Sequence, residues 1–394
     1  MSSPTRHRVL GLALTGLLPL SLLAAAPPAG ATESHARPIR LIGEQIVPNA
    51  LSFQGTTVGG LSSIDYDPRT GGYALICDDR SAIDPARFYT AKFDVDAHHL
   101  GPVTFTGTRP LLRPDGTPYP PLAQNDPAAP QNEQTIDPEE LRVDPWTGDY
   151  TWSQEGERTA TTPPTLIDPS IRQARRDGSY VRDLPIPANE KMTPGAGPRQ
   201  NLVLEGLTYA AFGTLVASEV EGPLLQDGPE ATTTSGSLSR ITLQGRAGPV
   251  LAQYAYPQEK LFAGPVPPTA FATTDVSSML AVNQADPTKY LMMERSFVTG
   301  VGNKIRIYEI DTRGATNILN VKSLASSKDV RPVKKKLLLD LAGYPLSTVD
   351  NVEGMTWGPA LPGGERSLVL VSDNNFAATQ VTQVIALAVP SERL

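Results

Sequence analysis

Polar and apolar positions in this chain fall into short paired runs. Near the C-terminus, Asn351-Val352-Glu353-Gly354-Met355-Thr356-Trp357 carries an acid-glycine step and then alternates. A turn rich in Pro and Gly follows, and a dense apolar run over residues 368–371 stops at Ser372-Asp373. Period-two alternation with turn residues between the runs predicts two strands of a hairpin, with a carboxylate at the start of one and the end of the other. The pattern stands four more times upstream. Residues 61–66 precede 74–78, 139–143 precede 150–155, 204–209 precede 215–219, and 276–281 precede 290–294. The equivalent first positions are Ser62, Glu139, Glu205, Ser277 and Glu353, so the copies recur after 77, 66, 72 and 76 residues.

A repeat that carries two or more strands along most of a chain predicts an all-β protein of the β-propeller type. One blade cannot bury both faces of its sheet, so blades stack around an axis. The alternative is a β-sandwich whose hairpins happen to look alike; an acid at two fixed points in three copies favours the propeller. Five repeats are visible. A blade needs only roughly 40 to 50 residues, so the surplus leaves room for a sixth, degenerate one. Residues 39–47 read as a strand ahead of the first repeat, and the last repeat is short of strands. Pairing the two would close the ring and remove exposed edges. Between the repeats, residues 169–176 read as a short surface helix, and the Pro-rich stretch from Glu155 to Asn201 as a long loop of the kind that is functional or mobile.

Composition agrees with short strands and long loops: 33 Gly and 38 Pro among 394 residues, with 40% hydrophobic content. The N-terminus adds a compartment. Arg6 and Arg8 precede an apolar stretch over residues 9–26, and Ala29-Gly30-Ala31 supplies a small-residue cleavage site. Residues 1–31 therefore read as a secretory signal peptide and 32–394 as a single secreted, extracellular domain. The net charge is −7, and losing Arg6 and Arg8 with the leader makes it −9. Such a chain is no nucleic-acid binder by charge, has no membrane association once the leader is gone, and is expected to be a monomer. Cys77 is the lone cysteine, set in an apolar run, and reads as a buried free thiol. The basic run Lys334-Lys335-Lys336 reads as a solvated strand end.

Candidate chemistry follows from the repeat. In a propeller the first strand of each blade lines the channel, so equivalent positions share a ring. Glu139, Glu205 and Glu353 then stand with Ser62 and Ser277 on one ring. The second-strand ends (Asp78, Glu219, Glu294 and Asp373, with Gln154-Glu155) form another. Carboxylates gathered at a mouth repel one another unless a cation or basic groups sit among them. Oxygen ligands without clustered His or Cys suit Ca²⁺ rather than zinc. The candidate metal ligands are Glu139, Glu205, Glu353, Asp78 and Asp373. The competing reading has each Glu merely locking neighbouring blades through backbone amides. Arg80, Arg199 and Arg295 lie close in sequence to these acids; they suit a phosphate or carboxylate substrate, or inter-blade ion pairs. The candidate catalytic set is Glu205, Glu353, Arg199 and Arg295. No G-x-S-x-G elbow, H-E-x-x-H or phosphate-binding Gly loop occurs, which disfavours a Ser-His-Asp hydrolase.

Several of these motifs carry a family resemblance. They are Gly60-Leu61-Ser62 with Cys77-Asp78-Asp79-Arg80-Ser81, and Arg199-Gln200-Asn201 leading to Leu204-Glu205-Gly206-Leu207. Met293-Glu294-Arg295-Ser296-Phe297, Asn351-x-Glu353-Gly354-Met355 and Ser372-Asp373-Asn374-Asn375 complete them. In this order, from about residue 38 to the end, they resemble the phytase-like family, often labelled esterase-like activity of phytase. The resemblance implies a secreted propeller hydrolysing a small-molecule ester or phosphoester, and propeller phytases use several Ca²⁺ ions in a cleft of acids and bases. Glu353-Gly354-Met355-Thr356-Trp357 is also similar to the entry of gluconolactonase-type propellers, whose glutamate holds one channel Ca²⁺; the Pro that follows their Gly is missing in every copy here. A non-catalytic exported binding propeller with structural acids is the rival function. Convergence of the three glutamates on one point would favour the enzyme.

Overall fold

The protein is described by a computed structural model covering residues 37–394. The signal-peptide reading of residues 1–31 lies outside the described residues. Five antiparallel four-stranded sheets succeed one another along the chain. From the axis outward, blade 1 is Ser63–Asp67, Gly72–Cys77, Arg87–Lys92 and Thr104–Pro110. Blade 2 is Pro138–Val143, Tyr150–Gln154, Ser170–Ala174 and Tyr180–Leu184. Blade 3 is Leu204–Ala210, Leu215–Val220, Leu238–Gly245 and Val250–Pro257, and blade 4 is Ala272–Ala281, Lys289–Val298, Gly302–Asp311 and Lys334–Asp340. Blade 5 takes Asn351–Leu361, Glu365–Asp373 and Thr382–Pro390, and its outer strand is Arg40–Val47 from the N-terminus. The innermost strands each contact those of the neighbouring blades around the ring. This is a five-bladed β-propeller.

The expected closure is present: Arg40–Val47 runs antiparallel to Thr382–Pro390, from Arg40 opposite Ala388 to Val47 opposite Thr382. There is no sixth blade among the described residues. The surplus length goes into loops and two small hairpins, Ser52–Phe53 with Thr56–Thr57 and Glu157–Arg158 with Leu166–Ile167.

Burial falls from axis to rim. Leu204–Ala210, Gly72–Cys77 and Pro138–Val143 are buried at every residue, because a neighbouring blade covers each face. Such strands read as continuous runs, whereas the outer strand Tyr180–Leu184 alternates between covered and exposed positions. Each blade interface carries its own apolar core. Leu75 and Tyr89 meet Val369 and Val371 between blades 1 and 5, Ile76 and Phe88 meet Leu141 and Trp152 between blades 1 and 2, and Ile171 meets Leu204 and Val216 between blades 2 and 3. Ala217 and Ile241 meet Met279 and Met292 between blades 3 and 4, and Leu291 and Ile305 meet Leu370 and Leu387 between blades 4 and 5. Cys77 is a buried free thiol in the first of these, as expected.

Two local readings are corrected. Residues 169–176 do not form a helix; Ser170–Ala174 is the third strand of blade 2, paired on both edges. The open edge of Tyr150–Gln154 needs a partner, and that demand outweighs local propensity. Lys335 is not a solvated strand end. Its ammonium pairs with Glu294 and Glu259 and lies over the Tyr256 and Tyr308 rings, tying blade 4 to blade 3.

The Glu-Gly step has a structural cause. A register shift falls at the same point of the innermost strand in four blades, between Pro138 and Leu141, Leu204 and Gly206, Val276 and Ser278, and Val352 and Gly354. A bulge leaves one residue unpaired and re-aims its side chain. Glu205, Ser277 and Glu353 sit at these bulges. The glycine beside the bulge permits close stacking: a Cβ on Gly354 would stand 2.7 Å from the Ser63 Cα and 2.9 Å from the Ile64 amide of blade 1.

Arg142 fills the middle of the ring. Its guanidinium donates to the carbonyls of Ile64 (3.2 Å), Leu207 (2.7 Å), Met279 (3.0 Å) and Met355 (2.9 Å), one from each of the other four blades. Glu140 at 3.0 Å and Asp65 at 3.3 Å balance its charge.

Candidate functional site

Strand pairing fixes which residues are equivalent at the mouth. Gly206 pairs with Glu219, Gly354 with Val371, Ser278 with Met293 and Ser63 with Ile76. Side chains share a face every second residue, so the mouth positions are two residues beyond each partner. They are Asp78, Glu221, Arg295 and Asp373, with Glu155 in blade 2. Ser62 and the bulge positions Glu139, Glu205, Ser277 and Glu353 form the ring inside them. Two residues earlier come Gly60, Asp137, Val203, Asp275 and Asn351.

The expected ring of equivalent positions is therefore present, and its serines and glutamates differ in what they touch. Ser62 Oγ donates to the Glu139 carbonyl (2.8 Å) and Ser277 Oγ to the Val352 carbonyl (3.3 Å), so each locks its blade to the next. The glutamates stay among other carboxylates. Oxygens of Asp137, Glu139 and Glu155 lie within 4.8 Å of one another, as do those of Glu155, Glu205 and Glu221. Glu155 belongs to both triplets. Glu353 belongs to neither, so the three glutamates do not meet at one point as the enzyme reading expected; its Oε1 accepts from Arg295 (2.9 Å) and from the Asn351 amide (2.9 Å).

The second ring needs correction. Asp78 and Asp373 stand at the mouth, but Glu219 and Glu294 do not. Glu219 accepts from Ser239 Oγ (2.7 Å) inside blade 3, and Glu294 accepts from Tyr256 (2.8 Å) and Lys335. The apolar run of blade 3 meets an acid two residues before the mouth position, and in blade 4 one residue before. Arg199 is set apart from these acids. It lines the cleft, but its guanidinium donates to the carbonyls of Pro223 (3.0 Å) and Gly228 (2.7 Å) and not to Glu205.

Arg295 is the hub of the other side. It reaches Glu221 and Glu353 at 2.9 Å each and Asp275 at 3.9 Å, joining blades 3, 4 and 5. Arg80 pairs with Asp137 and with Glu157 (2.8 Å), and donates to Asn201 (2.8 Å). Two guanidiniums thus face ten carboxylates: Asp78, Asp373 and Glu353, the five members of the triplets, and Glu157 and Asp275. All but Asp78 are buried.

Burial and mutual repulsion push these acids up. The Glu155 carboxyl rises to about 7 through burial, against the Val203 amide (2.7 Å) and Arg80 that favour its charge. Asp137 rises to about 8 through burial, against Arg80, and Asp275 to about 6 through burial, against Arg295. Glu139, Glu205 and Glu221 stand well above the usual carboxylate range, through burial first and then through Glu205, Glu221 and Asp275 respectively. Asp78 is raised by burial and then by Glu353, Asp137 and Asp79, and Asp373 by burial and then by Asp78 and Glu353. For Arg295, burial works against the charge, and Glu353, Glu221 and Asp275 outweigh it, so its pKa is raised.

Glu155 Oε2, Glu221 Oε2 and Asp373 Oδ2 are buried and accept no hydrogen bond. A buried acceptor without a donor costs on the order of 1–3 kcal/mol, more for a charged group. Buried carboxylates with free oxygens, clustered and without His or Cys, fit a hard divalent cation. Above them opens a cleft of about 950 Å³ over blades 3 to 5, lined by Arg199, Glu221, Asp275, Arg295, Asn351 and Asn375 among others.

Over residues 56–376 the sequence matches the phytase-like family, described as esterase-like activity of phytase. The chain belongs to the phytase-like family. No curated protein sequence matches it. Among solved structures, the phytase-like chain is similar to a bifunctional GH43-CE protein of Bacteroides eggerthii (10% identity, TM-score 0.40, 86% of this chain and 34% of that one). It is also similar to a gluconolactonase of Xanthomonas campestris (9% identity, TM-score 0.32, 89% and 98% coverage) and to a glucose dehydrogenase (11% identity, TM-score 0.35, 88% and 86%). The chain spans about a third of the length of the first.

Sequence reasoning missed Asp137, Glu157, Glu221 and Asp275 in the phytase-like site. A signal for two of them was available. Asp137-x-Glu139 and Asp275-x-Ser277 place an acid one strand period before the bulge, as Asn351-x-Glu353 places an amide.

Proposed function

We propose that this phytase-like chain is an exported, Ca²⁺-dependent hydrolase of carboxylic or phosphoric esters, acting in the cleft above the acidic mouth. One observation carries the reading: two buried carboxylate triplets share Glu155 and retain oxygens that no donor satisfies. Asp137, Glu139, Glu155, Glu205 and Glu221 are the residues this reading assigns to the cation. When bound, Ca²⁺ polarises an ester or phosphoryl oxygen and acidifies a water. The chain's own groups do the rest. Asn351 and Arg295 hold the Glu353 carboxylate away from the cation-binding oxygens. Asp275, kept in place by Thr273 Oγ (2.7 and 2.6 Å), is the cleft carboxylate assigned to take a proton from water. Because Arg142 fills the ring, substrate and product share one mouth.

The test is a screen of the protein against aryl phosphates, aryl esters and lactones, with Ca²⁺ and with a chelator. Turnover that needs Ca²⁺ and is lost in Glu155→Gln supports the reading. A second reading, a binding propeller with structural acids, draws on Arg295, whose ion pairs join three blades. It prevails if no ester is cleaved and Glu155→Gln melts like the parent with or without Ca²⁺.

A further inference from the structure

We propose that the cleft selects an ester bearing one apolar aryl or acyl group, seated on an exposed lip of blade 4, over a polyphosphorylated polyol. The inference rests on the site proposed above and concerns its substrate class. Phe271 and Phe297 line one wall of the cleft with ring centroids 6.2 Å apart. Phe271 is 67% exposed, and the lip continues into Val266 (64%) and Val301 (50%). The lip is a built edge. The Thr299 amide donates to the Phe271 carbonyl (3.1 Å), and the Val266 amide donates to the Thr299 carbonyl (2.9 Å). Three large apolar side chains left in water beside a charged cleft make an apolar contact site.

The cleft's charges point the same way. Its cationic lining side chains are Arg158, Arg199 and Arg295, and each is already engaged. Arg158 donates to the carbonyls of Pro198, Thr193 and Ala196 at 2.7 to 2.9 Å, and Arg199 to those of Pro223 and Gly228. Arg295 is held by Glu221 and Glu353. Four acids share the same lining: Glu221, Glu230, Asp275 and Asp350. A ligand with many phosphates needs free guanidinium or ammonium groups to offset its charge. A cation in the triplets is matched by its own ligands and leaves little surplus. One anionic or polarised group at the mouth and one apolar group on the lip fit this wall better.

The test is calorimetric binding of phenylphosphonate, methylphosphonate and inositol hexakisphosphate to the Ca²⁺-loaded chain, beside hydrolysis of 4-nitrophenyl phosphate and 4-nitrophenyl acetate. The phenyl ligand is expected to bind about tenfold tighter than the methyl one, and Phe271→Ala to bring that ratio near one. Phe271 is exposed, so the variant keeps its fold; Val266→Ser is the second probe and lowers the ratio in the same direction. The hexakisphosphate is expected to bind more weakly than the phenyl ligand. A ratio near one in the parent, no binding of either phosphonate, or tighter binding of the hexakisphosphate overturns the proposal. Phenyl preference without turnover keeps the lip and removes the hydrolase. Turnover without preference does the reverse.

Discussion

Glu155 and Glu353 look alike in sequence and differ in what satisfies them. Glu155 enters both carboxylate triplets and keeps one oxygen without a donor, while Glu353 is neutralised by Arg295 and bonded by Asn351. Glu155→Gln is therefore expected to weaken Ca²⁺ binding at least about tenfold, and Glu353→Gln to weaken it less; titration calorimetry on the two variants checks the order. Away from the mouth, Glu190 offers a pH test. Its Oε1 accepts from Thr242 and Gln253, its Oε2 has no donor, and burial pushes its pKa up to about 7. A carboxyl raised in the folded state contributes most stability below its unfolded pKa. That contribution disappears as pH rises through the folded value. Glu190→Gln should then gain on the parent between about pH 4.5 and 7, as read from denaturant midpoints across that range. The glutamates at the bulges were legible because each precedes a glycine or a strand. The buried partners of Glu190 lie more than fifty positions away and left no local trace.

Blades were legible because paired apolar runs with turns between them have few other uses. The closing strand was legible because blade 5 lacked a fourth. Two things were not. Ser170–Ala174 carries too short a pattern to separate helix from strand, and only the open edge beside it decides. The end of a second strand cannot be located by its first acid, since Glu219 bonds within blade 3 and Glu294 across to it, while Glu221 and Arg295 face the mouth. The pairing register, which the bulge sets, was needed. At this scale Gly354→Ala is a sharp test. Its Cβ would press on main-chain atoms of blade 1 that cannot rotate away, so it should cost about 1–3 kcal/mol in denaturant unfolding. Removing the chain through Val47 should expose the edge of Thr382–Pro390, and size-exclusion chromatography should show association.

For the molecule as a whole, Arg142 does what no sequence pattern announces. Its partners are main-chain carbonyls of four other blades, and carbonyls carry no sequence signature. Arg142→Met would leave Glu140 buried without its counter-charge, whose pKa burial already lifts to about 8. The expected loss is about 3–5 kcal/mol, and a double variant with Glu140→Gln should recover part of it. Chemical unfolding of the three proteins checks this. The same residue separates the acidic mouth from the opposite face, so chemistry at the mouth depends on what the five blades assemble there.

The cation site proposed at the mouth would set that assembly apart from a mere lattice of blade contacts. Thermal unfolding of the metal-stripped protein, in chelator and across millimolar Ca²⁺, tests it most directly. A cation bound only by the folded state adds about 2.7 kcal/mol at a hundredfold excess over its dissociation constant. Tm is expected to rise with Ca²⁺ to a plateau, and the rise to be abolished in Glu155→Gln. Identical melting curves for the parent in chelator and in Ca²⁺ would contradict it.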